Sequence, residues 1–138
     1  MVYTKRTHVE SDKGFCCQDI THMVEGWLEE SGIRNGILCV HSERSVAAIV
    51  TMEYEPGCVK DFQDLLDKVL PEGLDYEHHK RWHDGNGHSH MRSTLVGPSK
   101  TFPVIDGKIC LEPWMQIVFA DFQPGRTKWE LALSIVGE

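Results

Sequence analysis

Thirteen residues from His78 to His90, HHKRWHDGNGHSH, hold five of the chain's eight histidines around an Asp-Gly-Asn-Gly turn. Neutral imidazole is a good ligand for zinc and similar divalent ions, and a catalytic ion takes about three protein ligands while keeping one position for water or substrate. His78, His79, His83, His88 and His90 can supply that number from one segment. Local structure decides which of them meet. In a strand, residues two apart share a face, so His88 and His90 converge, whereas in a helix they point roughly 160° apart. No H-E-x-x-H or comparable zinc pattern is present, and a histidine-rich loop that simply faces water fits the same residues equally well.

Other residue types could serve such a site. Glu53 stands near the end of the apolar run VAAIVTMEY, where a carboxylate needs a partner, an active-site role or an exit into solvent. Arg44 and Ser45 before that run, and Arg92, Ser99 and Lys100 after the histidines, are suited to charge-assisted bonds to a phosphate, although each type is also common on plain surface. Trp114 can wall a pocket or fill a core. Ser89 lacks a G-x-S-x-G elbow, and neither a P-loop nor a G-x-G-x-x-G follows any strand.

The elements that must position these groups read as follows. VYTKRTHVE alternates like a half-buried strand, and Asp19 can cap a helix through Ile20, Met23, Val24, Trp27 and Leu28 that stops at Gly32. GILCV and VAAIVTMEY read as adjacent strands joined by HSERS, with Pro56-Gly57 ending the second. A second helix runs from about Val59 to Leu70 and stops at Pro71. HSHMRSTLVG has an ambiguous period and suits a short helix closed by Gly97-Pro98. TFPVI, an Asp106-Gly107 turn, KICL, WMQIVFADF, a Pro124-Gly125 turn and WELALSIV then suggest a β-meander. The expectation is one α+β domain over residues 1–138, of mixed or antiparallel sheets with two main helices. Runs such as IVFADF and LALSIV need cover from helices or another subunit.

Composition narrows the classes. A chain of 138 residues buries roughly two thirds of its unfolded surface and needs no partner or disulfide to fold. No stretch approaches the ~20 apolar residues of a membrane span, and no secretory signal is recognised at the N-terminus, so a soluble cytoplasmic protein is expected. A net charge of −7 argues against nucleic acid and anionic membranes as partners. The five cysteines contain no C-x-x-C pair, which suggests neither a disulfide framework nor a cysteine-rich zinc site.

YEH at Tyr76–His78, the Gly-Asn turn, SHMRSTLVGPSKTFPVIDGKI from Ser89 to Ile109, Trp114 and a closing VGE resemble the YjbQ-like family, described as secondary thiamine-phosphate synthases. The resemblance spans nearly the whole chain. It implies a compact α+β fold packing as a homotrimer, with a polar, histidine-bearing pocket near the subunit boundary that takes a divalent metal, zinc first. His78 and His90 fall on family histidines, Glu53 on the glutamate of an Asn-Glu pair, Arg92 on a basic position and Ser99 on the serine of Gly-Pro-Ser. Three positions depart from the pattern: Arg44, followed by Ser45, replaces a histidine, Met52 replaces the asparagine, and Met115 follows Trp114 where the family has glutamine. His88, or less readily His41, can supply a missing ligand.

Two readings follow. In the first, the chain is a transferase of thiamine-phosphate-synthase type, joining a pyrimidine diphosphate to a thiazole phosphate. Glu53, His78 and His90 are then catalytic, His78, His88 and His90 hold the metal, and Arg44, Ser45, Arg92 and Ser99 hold a small phosphorylated metabolite. In the second, a non-catalytic trimer of the same fold binds an anion in a degenerated site.

Overall fold

The computed structural model describes residues 1–10, 14–83, 85–123 and 128–138. Strand β1 (Val2–Glu10) follows the alternation of its sequence, turning every second residue inward until Val9 is buried. It pairs with β8 (Lys128–Gly137), which in turn pairs with β3 (Gly36–Ser42). Beyond β3 lie β5 (Ser99–Ile105) and the short β6 (Lys108–Ile109), giving a five-stranded antiparallel sheet in the order β1-β8-β3-β5-β6. Asp106 and Gly107 connect β5 to β6 with φ of 53° and 78°. Both central residues of a two-residue type I′ turn need that left-handed backbone, which Asp tolerates and Gly adopts freely.

A second sheet has the order β2-β7-β4, from Cys16–Asp19, Gln116–Asp121 and Ala47–Met52. It is the middle layer of the molecule. On one side Ile49, Ile117 and Phe119 meet Leu38, Val40, Leu131, Leu133 and Ile135 of the large sheet, together with helix α1 (Thr21–Ser31). On the other side Ala48, Val50, Val118 and Ala120 meet Leu66, Val59 and Phe62 of α2 (Pro56–Val69). Two short helices, α3 (Glu77–Trp82) and α4 (Gly87–Val96), follow α2, and α4 also lies against β4.

Several expectations change for physical reasons. β3 and β4 are not neighbours but belong to different sheets: β3 alternates, having one wet face, while five of the six residues of β4 are buried because both its faces are covered. The C-terminal third is not a meander, since β7 inserts between β2 and β4 and β8 between β1 and β3. The cover required by IVFADF and LALSIV comes from the chain itself. What stays open is the outer face of the large sheet, where Val2, Val136 and Ile37 form one exposed cross-strand row.

Pro56 begins α2 rather than ending the strand, because Pro suits the first helical turn and the Glu55 carboxylate accepts from the N–H groups of Gly57 and Cys58. Asp19 sits one residue ahead of the cap position, which Ile20 occupies, yet its carboxylate still accepts from the Thr21 N–H at 2.9 Å. Among the described residues there are four helices: α1 and α2 are the two main ones expected, α4 is the short helix that HSHMRSTLVG suits, and α3 is additional. EHHKRW, which forms α3, contains no apolar periodicity, only Trp82. The Pro124-Gly125 turn and Asp84 of the histidine segment lie outside the described residues. Among the described residues, no helix is long and apolar enough to cross a membrane.

Candidate functional site

The histidine segment folds into α3, a turn and α4, and Tyr76 brings the two helices together. Its ring leans on Gly87, where an added Cβ would lie 2.6 Å from Tyr76 Cβ, and its hydroxyl donates to Pro71 O at 2.8 Å. Only a residue without a side chain permits this approach. Its result is that His78 on α3 meets His90 on α4, with ring centroids 4.3 Å apart and planes tilted by 48°.

A polar chain extends from this pair. His78 Nε2 lies 3.1 Å from Asn86 Oδ1, and Asn86 Nδ2 donates to Gln123 Oε1 at 3.0 Å. An amide oxygen only accepts, so His78 donates from Nε2, and in the neutral ring its lone pair is on Nδ1. Gln123 follows Phe122, whose N–H bonds to Val46 O at 3.1 Å, two residues past Arg44. The half-buried Arg44 therefore stands at the same end of β4 as the imidazole pair. One of its terminal nitrogens lies 3.5 Å from Glu130 Oε1, while its buried Nε has no hydrogen-bond partner among the described residues.

The remaining histidines do other things. His79 Nδ1 accepts the Gly85 N–H at 2.9 Å and so fixes the turn, and His83 is exposed at the end of α3 with φ of 56°. His88 points inward. It is 2 % exposed, with Nε2 3.3 Å from Ser89 Oγ and 3.9 Å from Glu72 Oε2. The single hydroxyl proton of Ser89 goes to Phe122 O, so His88 donates to Ser89 and its buried Nδ1 is left without a partner among the described residues. Burial holds this imidazole below its ordinary pKa, with Arg92 acting the same way, while Glu72 and Asp67 pull in the opposite direction.

The metal set His78, His88 and His90 therefore does not assemble. α4 is a helix, and its geometry sends His88 into the molecule and His90 toward His78. Among the described residues, no three His, Cys, Asp or Glu side chains are grouped to hold an ion. The residues present offer two imidazoles where a catalytic zinc takes about three protein ligands, so one chain does not build the implied metal site from them.

Other expected site residues are dispersed. Glu53 is exposed just past the far end of β4, where the Tyr54 N–H donates to Gln116 Oε1 at 2.7 Å. β4 separates it from the imidazoles by roughly 20 Å, at ~3.3 Å per residue. Arg92, expected to grip phosphate, is only 3 % exposed; its guanidinium donates to Asp67 Oδ1 at 2.9 Å and Leu70 O at 3.0 Å, tying α4 to α2. Ser99 Oγ is 2.5 Å from His41 Nδ1 across the β3–β5 pair, and Ser45 is exposed beside Arg44. Trp114 is 68 % exposed, so it fills no core in this chain.

Sequence reasoning missed two features. Asn86 reads only as part of a turn and Gln123 not at all, yet the two carry the polar chain. A groove of about 810 Å³ between α1 and residues 107–116 was also not foreseen. His22, Glu25 and Glu29 share one helical face by their spacing and announce one wall, but the facing wall comes from a segment some eighty residues on.

A two-sheet α+β core carrying a histidine pair on two small helices defines a class of small single-domain proteins, and comparison with known proteins identifies it. The chain belongs to the UPF0047 protein YjbQ-like family, whose profile matches residues 5–138. It is 38 % identical over 137 residues to a UPF0047 protein of Methanothermobacter thermautotrophicus, covering 99 % of this chain and 94 % of that one. A UPF0047 protein of Archaeoglobus fulgidus is 34 % identical over 110 residues, covering 80 % of this chain and 83 % of that one. Among solved structures, a YbjQ-like protein of unknown function from Sulfolobus solfataricus superposes with a TM-score of 0.94 at 31 % identity, covering 100 % of this chain and 99 % of that one. A hypothetical protein from Aeropyrum pernix gives 0.91 at 29 % identity, with 99 % of both chains covered.

Proposed function

We propose that the His78–His90 end of the molecule binds the phosphate of a small phosphorylated metabolite, in a homotrimer whose second copy completes the pocket, and that a single chain has no catalytic centre there. The observation that carries this reading is the contact of the two imidazoles, 4.3 Å between centroids, at the end of β4 that also bears Arg44. A fixed cation with an unsatisfied N–H disfavours a divalent ion nearby and favours an oxyanion, which a guanidinium matches in charge and shape. Glu53, on the far side of β4, reaches such a pocket only from another copy.

The rival reading is the transferase of thiamine-phosphate-synthase type, with a zinc ion whose ligand set is filled across copies. The imidazole contact favours it equally, since two neighbouring rings can be two ligands.

Two measurements on tag-free protein separate them. Titration calorimetry with inorganic phosphate and pyrophosphate is expected to show binding that Arg44→Ala and His90→Ala each weaken by at least ~10-fold, the equivalent of ~1.4 kcal/mol. Elemental analysis is expected to find no stoichiometric zinc. Zinc at one per chain that disappears in His78→Ala or His90→Ala overturns the proposal in favour of the transferase. Absence of both zinc and anion binding removes both readings.

A further inference from the structure

The small sheet and the helix that covers it bring together two cysteines that the histidine end does not use. Cys17 pairs with Ala120 across β2 and β7, and paired residues share a face, so its side chain joins Ala120, Ala48 and Val50 under α2. Cys16 alternates to the opposite face. Cys58 lies in the first turn of α2, half-buried against the same cluster, and both cysteines are free thiols.

Two contacts fix the level at which α2 lies against β2. Two residues before Cys17, the Phe15 ring meets Phe62 with centroids 5.8 Å apart, and Phe62 is one helical turn beyond Cys58. In the other direction the Tyr54 hydroxyl, from the segment that leads into α2, donates to Cys17 O at 2.8 Å. Two strand residues advance a chain by roughly 6.6 Å and one helical turn by about 5.4 Å, so the two elements stay in step over this distance. With Phe62 against Phe15 and Tyr54 reaching Cys17 itself, the level of Cys58 is that of Cys17. The thiols also act on one another: burial pushes the Cys17 thiol up to about 12, and Cys16 and Cys58 both press it the same way.

We propose that Cys17 and Cys58 form a reversible disulfide that fastens the edge strand β2 to the start of α2 when a small-molecule disulfide is present. The half-buried Cys58 is the thiol such a reagent reaches. Its thiolate attacks one sulfur of the reagent, the reagent's S–S bond breaks, and one small thiolate leaves. The Cys17 sulfur then attacks Cys58 Sγ and gives up its proton as the second small thiolate departs and takes one up. Two protein thiols are thereby oxidised to one disulfide, and one small disulfide is reduced to two thiols. The second step is the slow one at neutral pH, because a buried thiol that keeps its proton is a poor nucleophile.

Intact-mass spectrometry of the full chain tests this. Protein freed of reductant is incubated with oxidised glutathione at mildly alkaline pH, quenched with acid and mapped by peptide digestion. The expected product is lighter by two hydrogen atoms, has Cys17 joined to Cys58, and returns to the starting mass with dithiothreitol. Its melting temperature should be higher by roughly 5 °C or more, since the bridge closes a loop of about forty residues in the unfolded chain. Cys58→Ala should form no bridge, and Cys17→Ala should stop at a single glutathione on Cys58; Cys17→Val replaces the latter if the alanine variant does not fold. Cys16→Ala should bridge as the unmodified chain does. Absence of a bridge in the folded protein, a bridge to Cys16, or a bridged chain that melts no higher than the reduced one overturns the inference.

Discussion

His88 shows how one side chain can differ in role from its neighbours in the same cluster. Its Nδ1 is buried without a partner among the described residues, a state that costs about 1–3 kcal/mol relative to a satisfied group, and protonating the ring would cost more. With its pKa held below the ordinary ~6.5, the unfolded chain takes up a proton that the folded chain refuses. Stability should therefore be level above pH ~6.5 and fall as pH drops below it. Replacing His88 with Leu should flatten that part of the melting-temperature profile between pH 7.5 and 5 and leave stability at neutral pH unchanged or about 1 kcal/mol higher. A variant profile that parallels the unmodified protein would show that His88 does not set the acid limb. The sequence made the histidine cluster legible but not its division, because the facing of His88 and His90 depends on α4 being helical. The same uncertainty governs Arg92, whose partners Asp67 and Leu70 lie on another helix.

At the scale of elements, the approach of α3 to α4 at Gly87 creates the imidazole pair. A methyl group at Gly87 meets Tyr76 Cβ, Cγ and Cδ2 at 2.6–3.0 Å, and the ring is held by its bond to Pro71, so the helices must move apart. Gly87→Ala is expected to cost about 1–3 kcal/mol in urea denaturation and to weaken phosphate binding together with it. Retained binding at full affinity would mean the pocket does not depend on this contact. Patterns of apolar residues revealed β1, α1, the α2 body and the Asp106-Gly107 hairpin, because each buries one face or needs a special backbone. They did not reveal α3, whose stability comes from neighbours. Nor could they assign β3 and β4 to different sheets, since burial on two faces resembles any short apolar run.

Across the whole molecule, the large sheet is built from distant segments: Val2 pairs with Val136, and Gly36 with Gly137. Such pairings must close long loops before they are rewarded. Refolding followed by tryptophan fluorescence should therefore occupy milliseconds to seconds, and a microsecond phase accounting for the full signal would contradict that expectation. The α+β class was readable from the mixture of strands and helices, whereas the strand order was not, because local patterns carry no information about which remote edges meet. One outcome of that order concerns biosynthesis. β8 lies between β1 and β3, yet it is translated after both. A nascent chain held on the ribosome before Lys128 emerges thus presents two bare strand edges to its surroundings, and prematurely terminated products should be prone to aggregate or to need chaperones.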